Sequence, residues 1–291
     1  MTPAALLAAV LLAVPTHFVV IGGLGGEKPY EERFATQVRE LAGLAQPIAG
    51  DTGRVRPLSG PAATREAIRV EIDALARSAG VDDVVVVSLI GHGNVDGRTY
   101  KFNVPGPDLT CDELREWLDR VPARRQLIVL ATSASGACVA PLAREGRVVM
   151  AATRSGAERN ATVFGRYFVE SLRDPAADRD HDEVVTALEA FRYAEQKVKR
   201  FYADEKRLAT EHAVVSTPGA EEFVLARRGA AASGAAAPAL SARRVALEDD
   251  VRALRARKAQ LPRDRYLDEL ERVLLELARV QEEIDRSGAR P

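Results

Sequence analysis

The sequence predicts an α/β fold, a mostly parallel sheet flanked by helices, followed by a C-terminal helical hairpin. Three observations carry this. The apolar runs THFVVIGG (16–23), VDDVVVVSLIGHG (81–93), LIVLAT (127–132) and RVVMAAT (147–153) are continuous and rich in β-branched residues, as in strands covered on both faces. Helical stretches lie between them, and strands alternating with helices imply parallel pairing through right-handed crossovers. Beyond the small-residue segment RRGAAASGAAAPALS (227–241), two further apolar stripes recur at helical spacing. The organisation is therefore a main domain over 16–226, a flexible linker over 227–241 and a hairpin over 242–287.

Taken in order, the chain opens with MTPAALLAAVLLAVP, an apolar run shorter than the ~20 residues a membrane span needs. Residues 1–15 fit a secretory signal in length, though they lack a basic start and an A-x-A site. The expected location is exported, periplasmic or extracellular, with a cytoplasmic location as the alternative. No other segment reads as an integral membrane span. The 291 residues are 46% hydrophobic and 29% charged with a net charge of −1, so most of the chain should fold. That balance carries no concentrated basic surface and excludes a nucleic-acid partner. Arg far outnumbers Lys and Ala is abundant, which points to a GC-rich bacterial genome.

The first strand runs into GGLGG (22–26), which has the look of a dinucleotide fingerprint. A G-x-G-x-x-G from Gly23 needs glycine at 28, where Lys28 stands, so a tight turn is the better reading. A helix is expected over 30–45, then a Pro/Gly-rich loop over 54–62. The next helix spans 63–80, with Ile68, Ile72 and Leu75 on one face, and another spans 109–121. Helices over 159–172 and 183–208 complete the domain. The cysteines are two, Cys111 and Cys138, too few for a disulfide framework or a cysteine zinc site. Their spacing does not decide whether they bridge, and the expectation carried forward is two free thiols.

In sheets of this kind the site lies beyond the carboxyl ends of the strands. That rule puts Gly91-His92-Gly93 and Thr132-Ser133-Ala134-Ser135 on one rim. His92, poised between glycines at a strand end, is an unusual place for an imidazole. The segments VSLIGHGNVDG and IVLATSASG resemble the caspase-fold (clan CD) cysteine peptidases, most closely the legumain branch. There an apolar strand ends in His-Gly, and a second ends in Glu-Ala-Cys, one residue, then Ser-Gly. Laid on Ser135-Gly136, the nucleophile position falls on Ser133, with Ala131 and Thr132 at the Glu and Ala positions. RVVMAATRSG resembles the following strand and its exit loop.

The resemblance implies His92 as general base, and backbone N–H groups of Gly93 and Ser133 as oxyanion donors. It also implies a peptide or protein ligand. Serine in place of cysteine changes the chemistry. A thiol ionises readily beside histidine, whereas a hydroxyl needs a base to take its proton during attack. Three readings follow: a pseudopeptidase used for binding or scaffolding, an active hydrolase using Ser133 with His92, and an α/β-hydrolase-type esterase in the order Ser133, Asp182, His212. The esterase lacks its Gly-x-Ser-x-Gly elbow, since Ala131 and Ser135 occupy the glycine positions.

DRDHDEVVTALE (178–189) matches the spacing of a 12-residue calcium loop. Its ligands would be Asp178, Asp180, Asp182, the Val184 carbonyl, Thr186 and Glu189, with Glu183 where the turn wants glycine. The reading is a structural calcium, or else a solvated acidic loop capping the next helix; no cofactor is required. In the hairpin, Leu247, Val251, Leu254 and Leu261 form one stripe, and Leu267, Leu270, Leu274, Leu277 and Ile284 form the other. Their expected use is packing or self-association.

Overall fold

The computed structural model describes residues 14–97, 99–216, 218–227 and 238–288. The signal-like run and the centre of the small-residue linker lie outside them. The main domain begins with β1 (Thr16–Gly22), α1 (Lys28–Ala49), β2 (Val55–Leu58), α2 (Arg65–Ser78) and β3 (Val84–Gly91). A small meander follows, β4 (Gly93–Asp96), β5 (Thr99–Phe102) and β6 (Leu109–Thr110), leading into α3 (Cys111–Asp119) and β7 (Arg125–Thr132). Then come α4 (Val139–Leu142), β8 (Arg147–Ala151), α5 (Phe164–Ser171), β9 (Val184–Thr186) and α6 (Ala187–Asp204). It closes with β10 (Val214–Val215) and β11 (Val224–Arg227). The hairpin is α7 (Pro238–Ala256) and α8 (Arg263–Gly288), so Arg227 and residues 238–241 belong to elements and not to the linker.

The main sheet has the order β10-β8-β7-β3-β1-β2. β2, β1, β3, β7 and β8 are parallel, and β10 alone runs antiparallel, against β8. Because successive strand residues point to opposite faces, each continuous apolar run feeds two cores. Phe18, Val20, Val86 and Ile90 meet Phe34, Val38 and Leu41 of α1, together with α5 and α6, on one side. Val19, Ile21, Val87 and Leu89 meet Ile68, Ile72 and Leu75 of α2 and Leu114, Trp117 and Leu118 of α3 on the other. α2 starts where Thr64 accepts from the Ala67 amide at 3.1 Å, a side-chain cap.

Several expectations need correction. The loop read over 54–62 contains β2, an edge strand, which is where a proline such as Pro57 is tolerated. The helix read from 183 begins at Ala187, because Val184–Thr186 pairs with β11 first. The two cysteines are not free: Cys111 and Cys138 form a disulfide with their Cα atoms 5.7 Å apart.

The hairpin is a compact unit by itself. Its own core uses Leu247, Val251 and Leu254 of α7, as expected. On α8 it is Tyr266, Val273 and Val280 that are buried. Leu267 and Leu274, assigned to the inner stripe, are about half exposed, and Leu270 and Leu277 pack at its margin. The buried stripe is thus one residue away from the leucine stripe, and a valine pair outranks the longer side chains. Among the described residues, no helix is long and apolar enough to cross a membrane.

Candidate functional site

β3 and β7 pair in register, with Gly91 opposite Thr132. His92 and Ser133 are the next residues of these neighbouring strands, so the sheet brings both to one rim, as the strand-end rule requires. Gly93 completes the juxtaposition. A Cβ on it would lie 2.6 Å from the Ser133 carbonyl oxygen and 2.8 Å from the Tyr100 hydroxyl, so only glycine fits there. Both residues proposed as oxyanion donors are therefore in contact through their backbones. The glycine turn serves the same packing. A Cβ on Gly23 would lie 2.5 Å from the Asn103 carbonyl, and Gly91 sits against Gly23.

His92 is half-buried, with its ring edge-on to Tyr30 (4.8 Å) and Phe34 (5.1 Å) of α1. The Arg33 guanidinium lies over the same two rings, at 4.8 and 5.1 Å. Burial, and next the Arg33 charge, hold the imidazole below its ordinary range, opposed by Glu27 and a hydrogen bond to the Gly25 backbone. His92 is therefore neutral at neutral pH and able to accept a proton.

Ser133 has a different character. It is 1% exposed, and its hydroxyl has no hydrogen-bond partner. His92 does not bond it. The turn that carries it is strained: Ala134 adopts φ +57°, in the left-handed region that alanine avoids. The Ala134 amide donates to the Glu158 carbonyl at 2.8 Å, and the Gly136 amide donates to Thr153 Oγ1 at 3.0 Å. The exit loop after β8 is thereby drawn over the serine turn. Behind it, Tyr100 and Thr132 share a buried hydroxyl–hydroxyl hydrogen bond of 2.5 Å.

The residues that sequence reasoning missed are Tyr30, Arg33, Phe34 and Glu211. The first three sit at i, i+3 and i+4, one face of α1, a pattern that reads only as helix periodicity. The Arg33 Nε is buried without a partner, and its Nη2 donates to the Thr162 carbonyl at 3.4 Å. Glu211 is 2% exposed and accepts from the Val163 amide at 2.8 Å and the Phe164 amide at 3.3 Å, at the start of α5. Burial pushes its carboxyl up to about 7 against those hydrogen bonds and the nearby Arg33 charge.

The other candidates come out differently. The carboxylate on His212 Nδ1 is Glu158, at 2.7 Å, and not Asp182, which accepts from the Val184 amide. With the Ala134 amide also bonded to Glu158, the esterase constellation is not assembled. Of the six calcium ligands, Asp178, Asp180 and Asp182 come together, with carboxylate oxygens within 4.8 Å of one another. Val184 pairs in a strand, while Thr186 and Glu189 form the capping box of α6, with Glu189 accepting from the Thr186 amide at 2.9 Å. Glu183 indeed takes the glycine-like conformation, φ +64°. Glu189 serves both segments, since its other carboxylate oxygen accepts from the Arg179 amide at 3.0 Å and so ties the helix cap to the acidic loop.

No protein-family profile matches the chain. No curated protein matches it either. Among solved structures, it is similar to caspase-1 from Spodoptera frugiperda, with a TM-score of 0.50 and 11% identity. The match covers 75% of this chain and 92% of that one. The chain has a caspase-like fold.

Proposed function

We propose that this caspase-like protein is a pseudopeptidase of the legumain type, which binds a peptide or protein segment at the His92–Ser133 rim without cleaving it. The observation that carries the reading is the Ser133 hydroxyl, buried and without a hydrogen-bond partner. A serine nucleophile needs a base within hydrogen-bond reach and, in turn, a group that orients the base. His92 here is oriented by aromatic edges and a backbone contact, and among the described residues Glu27 acts on it through charge, with no carboxylate hydrogen bond to its ring. The Arg33 guanidinium over the same aromatic rings adds a positive charge beside the rim that suits a ligand carbonyl or carboxylate.

One observation favours the second reading, an active Ser133 hydrolase: the neutral His92 is a competent proton acceptor. The experiment separating them is kinetic. Full-length protein is incubated with a fluorogenic peptide library beside Ser133→Ala, Ser133→Cys and His92→Ala. Silence from the wild type, with peptide binding weakened by His92→Ala, is the expected result. Hydrolysis by the wild type that Ser133→Ala abolishes would overturn it in favour of the enzyme. The exported location is likewise our reading, and the Cys111–Cys138 bridge supports it, since such bonds persist in oxidising compartments.

A further inference from the structure

We infer that the Cys111–Cys138 bridge is a latch that keeps the Ser133 turn closed, and that opening it with a dithiol frees this turn while the sheet beneath stays folded. The functional meaning of the latch rests on the reading of the rim given above; its mechanics do not.

β4 packs on the start of the turn, with Gly93 against the Ser133 carbonyl, and the rest of 133–138 is fastened on two sides. Toward the exit loop it uses hydrogen bonds: Ala134 to Glu158, Gly136 to Thr153, and the Ser135 and Thr153 hydroxyls 3.2 Å apart. These join one loop to another, so the two can move together. On the other side Cys138 is bonded to Cys111, the first residue of α3. That end is anchored. Thr110 and Glu113 form a capping box, and Glu113 also takes the Arg65 guanidinium of α2 at 3.1 Å. The disulfide is thus the covalent tie between the serine turn and the helical layer.

Two features store a tendency to open. Ala134 is held in a left-handed conformation, which persists only where its surroundings over-determine it. Both cysteines are buried, Cys138 at 0% and Cys111 at 5% exposure, in the same apolar cluster as Leu114 and Leu142. Once reduced, two non-bonded sulfur atoms must stand further apart than bonded ones, and a close-packed interior has no slack for that. With α3 pinned, the turn is the part that gives way.

The chemistry is a two-electron exchange. A dithiol thiolate attacks one sulfur, forming a mixed disulfide with that cysteine and releasing the other as a thiolate, and the reductant's second thiol then displaces the first cysteine. The reductant leaves as a cyclic disulfide, and two electrons and two protons pass to Cys111 and Cys138.

The test uses the full chain, oxidised or treated with dithiothreitol, with bridge status read by alkylation and mass. Hydrogen–deuterium exchange then compares peptides covering 133–142 with those covering β1 and α1. Opening the bridge is expected to speed exchange over 133–142 by about tenfold or more and to leave β1 and α1 unchanged. Cys111→Ser combined with Cys138→Ser is expected to give the same pattern without reductant. Unchanged exchange after opening would overturn the latch, as would loss of protection throughout the sheet or a double variant that fails to fold. Alkylation of both cysteines in unreduced, denatured protein would overturn it too. No peptide ligand enters the measurement, so its outcome is independent of whether the rim binds one.

Discussion

At Ser133 the side chain has been taken out of water and given nothing in exchange. An unsatisfied buried hydroxyl costs about 1–3 kcal/mol, so a residue kept there for stability alone would be alanine. Ser133→Ala is accordingly expected to be neutral or to stabilise by about 1 kcal/mol in urea unfolding. A loss above about 1 kcal/mol would mean the hydroxyl has a partner after all. Glu211 gives the opposite kind of residue, one with every partner and still out of place. Its carboxyl, pushed up to about 7 by burial, is raised above the unfolded value of about 4.3. The folded chain therefore binds more protons than the unfolded one between those limits. Its contribution is fully present below about pH 4.3 and is lost as pH rises through about 7, by roughly 4 kcal/mol in all. Glu211→Gln should remove most of that slope between pH 5 and 8 while retaining an acceptor for the α5 amides. An unaltered slope would show that another group titrates there. Of these residues, His92 and Ser133 were legible in the sequence because strand ends in parallel sheets mark sites. Arg33 and Glu211 were not, since one is masked by helix periodicity and the other becomes special only when folding buries it.

Elements were legible in proportion to how much apolar surface each buries. β1, β3, β7 and β8 carry the two sheet cores and announce themselves as continuous runs. β2, the meander β4–β6 and the short β9, β10 and β11 do not, because pairing with a neighbour, not a local pattern, makes them strands. In the acidic stretch over 178–189 two readings meet, since Asp178, Asp180 and Asp182 come together while Glu189 caps a helix. Thr186 and Glu189 stand at the right intervals for a calcium loop, yet β9 ends at Thr186, and that residue caps α6. Thr186→Ala is therefore expected to destabilise by about 1 kcal/mol, equally with and without added calcium. A loss seen only in calcium would restore the ligand reading. Gly93, at the start of β4, makes a similar point for the rim. Its Cβ position lies 2.6 Å from the Ser133 carbonyl, so Gly93→Ala must push β4 off the serine turn. We expect roughly 1–3 kcal/mol of destabilisation by thermal unfolding, as for other overpacked contacts. A melting temperature equal to wild type would show that the two segments are not in contact.

On the scale of the whole molecule, the apolar clusters among the described residues fall within two compact units. The clusters on the two faces of the sheet draw every member from residues 14–227, and the hairpin cluster draws every member from 238–288. Energetic coupling requires shared partners, so a substitution in one core should leave the other's stability unchanged. Leu89→Ala, under the sheet, is expected to cost the main domain about 2–5 kcal/mol, and Leu254→Ala to cost the hairpin a similar or smaller amount. The argument extends to the site. Since the described rim residues, in the glycine turn, α1, the ends of β3 and β7, β4, β5, the exit loop and the segment around Glu211, all lie within 14–227, deleting 228–291 should preserve it. The shortened chain is expected to unfold at the temperature of the intact main domain, within about 2 °C, and to keep the pH slope due to Glu211. Calorimetry of the two chains at pH 5 and pH 8 checks both at once. A truncated chain that melts markedly earlier, or whose slope has vanished, would mean that the hairpin supports the sheet through contacts other than its apolar core.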